Sequence, residues 1–203
     1  MTEEKNKNKE EIILQAARKR FAYYGFSKVT MDEIAQDAGM GKASLYYYFP
    51  TKEDLFKMVI SHEQDEFIKK LEEILENKST TVQKLNQYVP ERMSHFEVFI
   101  NLGKLSFQSF QELKPLFSDL HKKFSEREHA LLSEIIEEGI KNGELRKGDS
   151  NQIATLILHI LHGLRLRTFH FLQDMQANKE LYENLKNEMH QVINMIIDGI
   201  RVQ

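Results

Sequence analysis

The sequence predicts an all-α protein with two parts: an N-terminal unit of short helices over residues 1–60 and a larger helical body over 61–203. Three observations lead there. Among 203 residues there are only nine glycines and three prolines, too few for the many turns of a β-sandwich or barrel. Apolar residues recur at steps of three and four, the helical period, and no alternating run of strand type is found. Hydrophobic residues make up 41% and charged residues 29% of the chain, which excludes wholesale disorder.

The elements follow in order. Residues 1–11 alternate Lys, Glu and Asn without apolar periodicity and read as a frayed arm. From residue 12 the pattern turns helical, with Ile13, Ala17, Phe21 and Tyr24 on one face. Gly25 ends that helix as a residue able to adopt positive φ. Thr30-Met31-Asp32-Glu33 has the capping-box form, Thr at the cap and Glu three residues on. The helix it starts carries Ile34, Ala35 and Ala38 and stops at Gly39. Met40 and Gly41 lead into a helical run over 42–49, closed by Pro50, which disfavours the α conformation in the preceding residue. Thr51 caps a further helix, whose Leu55, Phe56, Val59 and Ile60 form an apolar face.

Longer helices make up the rest. The helix begun at Thr51 is expected to reach about residue 77. Pro90 should kink or break a helix over 82–93, an aromatic-rich helix covers 96–110, and Pro115 marks a further boundary. A helix over 124–140 ends at Asn142-Gly143. Asp149-Ser150 caps one over 151–172, and the last covers 179–202. No internal repeat is found.

Several function classes fall away. Without cysteine, the chain has no disulfide framework, thiol nucleophile or thiolate metal site. No glycine-rich phosphate loop or nucleophile elbow is found, so no cofactor is expected. The most apolar stretch, 153–166, is interrupted by His159, His162 and Arg165 and is shorter than the ~20 residues a membrane span needs. With no signal-peptide pattern at the N-terminus, the expected location is the cytoplasm. A net charge of −3 excludes a generally basic nucleic-acid coat, so any such role must rest on local geometry.

The informative segment is 30–52. Two short helices joined by a glycine-containing turn have the form of a helix-turn-helix, which sets its second helix in the major groove of DNA. At 100° per residue, Leu45 and Phe49 share the core face, Ala43 and Tyr47 project opposite, and Ser44 and Tyr46 lie on the flanks. Tyr48 sits nearer the core with its hydroxyl free to reach out. Small residues permit close approach, and hydroxyls bond phosphates or base edges. Lys42 and Lys52 each lie near a helix N-terminus, which favours phosphate. Taken alone, the three consecutive tyrosines fit an aromatic core or interface cluster better than a DNA surface, and it is the whole ordered constellation that reverses this preference.

Residues 13–55 closely resemble the N-terminal domain of the TetR family of bacterial transcriptional regulators. The resembling residues are Ile13-x-x-Ala16-Ala17-x-x-x-Phe21-x-x-x-Gly25-Phe26, then Thr30-x-x-x-Ile34-Ala35, Ala38-Gly39, and Leu45-Tyr46-x-Tyr48-Phe49-x-x-Lys52-x-x-Leu55. Residues 137–145 also look like a common turn in the family's C-terminal domain. The resemblance implies a homodimer that inserts both second helices into successive major grooves of a near-palindromic operator. It assigns bases or nearby backbone to Lys42, Ala43, Ser44 and Tyr46, and mainly phosphates to Thr30, Tyr47, Tyr48 and Lys52. It further implies a repressor released when a small effector binds the C-terminal domain. Two departures stand out: Gly41 occupies a cap position where Ser or Thr is frequent, and Ala43 stands where Gly is usual.

For the body, the apolar faces of 153–164 and 185–200 suit either a dimer seam or a monomer core. Phe96, Phe99, Phe107, Phe110, Phe117, Phe124, Phe169 and Phe171 suit an apolar effector pocket or ordinary core packing. His159, His162, Arg165, Arg167 and His170 stand among apolar residues, facing either a ligand's acidic group, the dimer seam or solvent. The candidate pocket set is Phe96, Phe99, Phe107, Phe110, His162, Arg165 and Phe169, for an apolar or amphipathic, fatty-acid-like effector. Two rival readings are a helical metal enzyme, suggested by Glu126-x-x-His129 and by His159 with His162, and an adaptor that binds protein through the tyrosines. A di-iron bundle needs a second Glu-x-x-His, which the sequence lacks.

Overall fold

A computed structural model describes residues 2–77, 79–103, 107–171 and 179–202. Among them stand eight α-helices: α1 (Thr2–Tyr24), α2 (Met31–Asp37), α3 (Lys42–Tyr48), α4 (Lys52–Glu76), α5 (Thr81–Gly103), α6 (Phe107–Lys141), α7 (Ser150–Phe171) and α8 (Lys179–Ile200). A 3-10 turn at Phe26–Lys28 links α1 to α2. The described residues hold no strand. An isolated antiparallel bridge joins Leu145 to Arg201.

Two apolar cores organise the helices. The first gathers Ile13, Ala17 and Phe21 of α1, Ile34 of α2, Leu45 of α3, and Leu55, Phe56, Val59 and Ile60 of α4. The second gathers Phe67, Ile68, Leu71 and Ile74 of α4 with residues of α5, α6, α7 and α8. One continuous helix, α4, therefore contributes to both. The expected boundary at residue 60 lies within it. Val98 of α5 and Leu120 of α6 also pack on the first core.

Several helix boundaries differ from the sequence reading; the expected helix over 96–110 falls at the end of α5 and the start of α6, and that over 124–140 is the second half of α6. Residues 2–11 are a helical extension of α1 rather than a frayed arm. Once Ile13, Ala17 and Phe21 hold a turn in the core, adding Glu and Lys residues upstream costs no new nucleus. Pro90 does not break α5. The missing N–H removes one rung, but Leu85, Tyr88, Val89 and Met93 are buried on either side and hold the helix across it. Pro115 is likewise inside α6, not at a boundary. Burial of Phe124, Leu132, Ile135 and Ile136 further along anchors that helix.

The turn after α6 has several contacts. Gly143 has φ 74°, and the Glu144 N–H donates back to the Gly139 carbonyl at 2.9 Å, the bond pattern of a glycine-closed helix end. Glu144 Oε2 accepts the Thr81 N–H at 2.8 Å, an otherwise unpaired donor at the start of α5. Lys84, almost wholly buried, donates to the Leu75 carbonyl at 2.8 Å and to Glu138 at 2.6 Å. The turn thus fixes the start of α5 against the end of α4. The C-terminus closes over it: the Arg146 N–H donates to the Ile200 carbonyl and the Val202 N–H to the Glu144 carbonyl. For that reason α8 stops at Ile200 and not at residue 202.

Candidate functional site

The first site is the α2–turn–α3 unit. Thr30 caps α2 through a complete capping box: its Oγ1 accepts the Glu33 N–H, and Glu33 accepts the Thr30 N–H at 2.8 Å. Glu33 is held below the usual carboxylate range by those bonds from the Thr30 backbone and side chain. Gly39, at φ 66°, ends α2, and the Met40 N–H reaches the Ala35 carbonyl at 3.0 Å. Gly41 then caps α3 with φ −73° and ψ 149° and no side-chain bond. Arg20 of α1 pairs with Glu33 and Asp37, which fixes α2 from outside.

Rotation about α3 is set by Leu45 and Phe49, which are 0% and 4% exposed. Their burial turns Tyr47 outward to 78% exposure and Tyr46 to 40%. Ala43 is exposed and Ser44 half-buried. Tyr48 packs beside the first core while its hydroxyl donates to Asn6 Oδ1 at 3.0 Å. The tyrosine helix therefore presents a surface, as the rotation argument predicts, and α1's N-terminal extension lies against its edge.

The two lysines differ. Lys42 is exposed, bonds Asp32 at 2.9 Å and lies 5.9 Å from the Tyr46 ring. Its amine is raised above the ordinary lysine value, first by the hydrogen bond to Asp32. Lys52 points inward, donating to the carbonyls of Phe26 and Val29 at 3.0 and 3.1 Å and standing 4.4 Å above the Phe26 ring. It ties the 3-10 turn to the start of α4.

The second site is a buried polar cluster in the body. Arg92 Nε lies 2.6 Å from Glu128 Oε1, with both side chains at least nine-tenths buried. The Tyr88 hydroxyl donates to the same carboxylate at 2.8 Å. Burial holds the Tyr88 phenol well above its ordinary value. Arg92 Nη1 lies 3.1 Å from His95 Nδ1, so that nitrogen is the acceptor and the ring is neutral. Burial, then the charge of Arg92, lowers His95 to about 2. The Arg92 guanidinium also lies over Phe67 and Phe124, at 5.4 and 5.2 Å. Arg165 of α7 is 7% exposed and stands 5.7 Å from the Phe96 ring. Its Nη1 is buried with no hydrogen-bond acceptor among the described residues. Burial, then Arg92, lowers it to about 10.

The chain matches the family described as bacterial regulatory proteins, tetR family, over residues 13–59. It is 38% identical to a transcriptional regulator from Cytophaga hutchinsonii ATCC 33406, whose crystal structure superposes with a TM-score of 0.89 over 95% of this chain and 98% of that one. The chain belongs to the TetR family. It is also 28% identical to the fatty acid metabolism regulator protein of Bacillus subtilis (strain 168), over 70% of this chain and 73% of that protein. A TetR transcription regulator from Haloarcula marismortui ATCC 43049 shares the fold at a TM-score of 0.76 and 22% identity, over 97% of this chain and 100% of that one.

As a TetR-family transcriptional regulator, the chain is not an enzyme, which sets aside the metal-enzyme alternative. The histidine of Glu126-x-x-His129 has another occupation: its Nε2 lies 3.1 Å from the Asn151 carbonyl and 2.9 Å from Thr155 Oγ1. Among the described residues no three His, Asp or Glu side chains gather as a metal site. Also among them, no helix is long and apolar enough to cross a membrane.

Of the expected pocket residues, Arg165 and Phe96 come together. His162 is exposed one turn before Arg165, and burial of its inner side followed by the Arg165 charge lowers it to about 4. The side chains of Phe99, Phe107, Phe110 and Phe169 lie outside the described residues, as do those of Phe117, His170 and Phe171. Sequence reading missed Tyr88, Arg92, His95 and Glu128. A signal was present: Tyr88, Arg92 and His95 are spaced four and three apart on one face of α5, among buried apolar residues.

Proposed function

We propose that this TetR-family regulator is a homodimeric repressor that binds a near-palindromic operator and releases it when an amphipathic effector enters the body. The observation that carries the DNA reading is the outward face of α3, where Ala43, Tyr46 and Tyr47 are exposed because Leu45 and Phe49 are buried beneath them. Lys42, Ala43, Ser44 and Tyr46 read bases or nearby backbone. Thr30, Tyr47 and Tyr48 serve phosphates. Lys52 contributes mainly by holding the 3-10 turn, since its ammonium is directed at the Phe26 and Val29 carbonyls.

Dimerisation is supported by large apolar side chains left exposed on the last two helices: Leu156, Ile160 and Leu166 of α7, with Met195 of α8. Paired with their symmetry mates, these helices would form an isologous four-helix seam. The name of the Bacillus subtilis relative, a fatty acid metabolism regulator, supports an effector with an aliphatic body.

Coupling between the sites runs through α4. Phe67 lies beneath Arg92 in the buried cluster, and Leu55, Phe56 and Val59 of the same helix hold the DNA-reading unit. A cleft of about 480 Å³ opens between α1, α4 and α5, lined in part by Arg18, Glu63, Phe67, His95 and Val98. An effector that prefers one position of Phe67 therefore biases the tilt of α4 and the separation of the two recognition helices. Half-sites lie about 34–36 Å apart, so a shift of a few Å defeats simultaneous insertion.

The test is a salt series of binding to DNA from upstream of the protein's own gene. Selective binding that weakens steeply with salt is expected. Lys42→Ala should lower the salt slope by about 1 and leave thermal stability unchanged. Lys52→Ala should lower the melting temperature along with affinity. Equal, weak binding to all fragments, insensitive to Lys42→Ala, would overturn the DNA reading in favour of a protein-binding tyrosine surface.

A further inference from the structure

The buried cluster does not balance its own charge. Arg92 and Arg165 bring two guanidiniums into the interior, and Glu128 is the carboxylate that faces them among the described residues. Tyr88 adds a neutral hydroxyl already donated to Glu128. His95 is a neutral acceptor toward Arg92. Among the described residues one positive charge is left over. It lies with Arg165, whose Nη1 has no acceptor among them although the side chain is more than nine-tenths buried. An unpaired buried cation is costly to a fold. Its surroundings are apolar: the Phe96 ring lies at 5.7 Å, and Phe67 and Phe124 sit under the neighbouring Arg92.

We infer that Arg165 anchors the effector's head group, a single carboxylate on an otherwise apolar molecule, with the Glu128-paired Arg92 as the second cation of the site. This deepens the effector reading given above and rests on it. Charge decides the class. A carboxylate neutralises the surplus, a phosphate monoester or a larger polyanion overshoots it, and a quaternary amine adds to it. The carboxylate also supplies oxygens for the orphan Nη1, in a planar geometry that guanidinium matches.

The test uses purified full-length protein and paired probes. Alkyl carboxylates of increasing chain length and an aryl carboxylate are each compared with the matching alcohol and phosphate monoester by calorimetry and thermal shift. A carboxylate should bind about ten- to hundredfold tighter than its alcohol, the range of a charge-assisted hydrogen bond. Arg165→Met should abolish that preference while the alcohol still binds. The ligand-free variant should melt no lower than wild type, because it loses a buried charge that has no partner.

Equal affinity for carboxylate and alcohol overturns the anchor but leaves an apolar effector standing. Tighter binding of the phosphate overturns the single-charge argument. No binding by any probe overturns both the anchor and the effector reading. A lower melting temperature for ligand-free Arg165→Met assigns Arg165 a structural role and also overturns the anchor. DNA binding measured on the same preparations keeps the two readings apart: carboxylate binding without DNA binding would sink the repressor and not the anchor.

Discussion

The two cores of this protein are built on different terms. The N-terminal core is wholly apolar among its buried residues, and its charged groups form pairs at the rim, as Arg20 does with Glu33 and Asp37. All the buried charged side chains among the described residues lie in the body: Lys84, Arg92, Glu128 and Arg165. The first arrangement holds α3 at one rotation by burying Leu45 and Phe49. The second keeps polar groups dehydrated, which is costly unless they are paired. An incompletely paired interior suits a part that must respond to a ligand, since the ligand can complete it.

Removing the anion of the body's cluster should have the largest effect on that contrast. Glu128→Gln leaves Arg92 and Arg165 facing each other without a carboxylate and should cost about 3–5 kcal/mol by urea denaturation at pH 7. A cost near that of an ordinary surface substitution would mean the cluster is more hydrated than its burial implies. The equivalent change at the N-terminal rim, Asp37→Asn, should shift stability far less, because Asp37 is partly exposed.

Acid should separate the regions next. Residues 1–60 contain no histidine, whereas His95 is kept neutral in the body, at about 2 against an ordinary 6.5. Below pH 6.5 the unfolded chain takes up a proton there that the folded chain refuses. Stability is therefore complete above pH 6.5 and falls as the pH falls. The His95 share of the loss between pH 7 and pH 5 should be about 2 kcal/mol, beside a smaller, solvent-screened share from the more exposed His162. His95→Gln should flatten that part of the denaturation profile, and an unchanged slope would show that His95 is not the group responsible.

Two glycines give the last comparison, and one of them the smallest effect. Gly41→Ser adds a capping hydroxyl at the start of α3, where an added Cβ meets nothing within 4 Å, and should stabilise by a few tenths of a kcal/mol. Gly139→Ala points a methyl at Thr81, with the new Cβ 2.5 Å from its Oγ1, and should destabilise by about 1–3 kcal/mol. Paired melting curves of the two variants would check both signs. A neutral Gly139→Ala would mean that the turn after α6 yields more easily than its contacts suggest.

The DNA-reading unit was legible residue by residue because its determinants are local. A capping box needs only Thr30 and Glu33, three apart, and the face of α3 follows from Leu45 and Phe49 at one helical period. The buried cluster was not legible in this way. Arg165 stands out in the sequence as a charge among apolar residues, but its surroundings come from α4, α5 and α6, far away in sequence. Lys42 and Lys52 carry the same lesson on a smaller scale. Both precede a helical turn and read alike as phosphate ligands, yet one meets Asp32 at the surface and the other meets two carbonyls across the core. The prolines misled for the converse reason: a local rule against Pro90 and Pro115 inside helices gave way to burial on either side.

What the sequence by itself determined is therefore the set of things that short-range chemistry decides: helical class, caps, the turn between α2 and α3, and the rotation of the recognition helix. Only the tertiary structure decided which charges are buried and which find partners. Dehydration and pairing depend on neighbours brought together from distant parts of the chain, and no spacing along the chain encodes them.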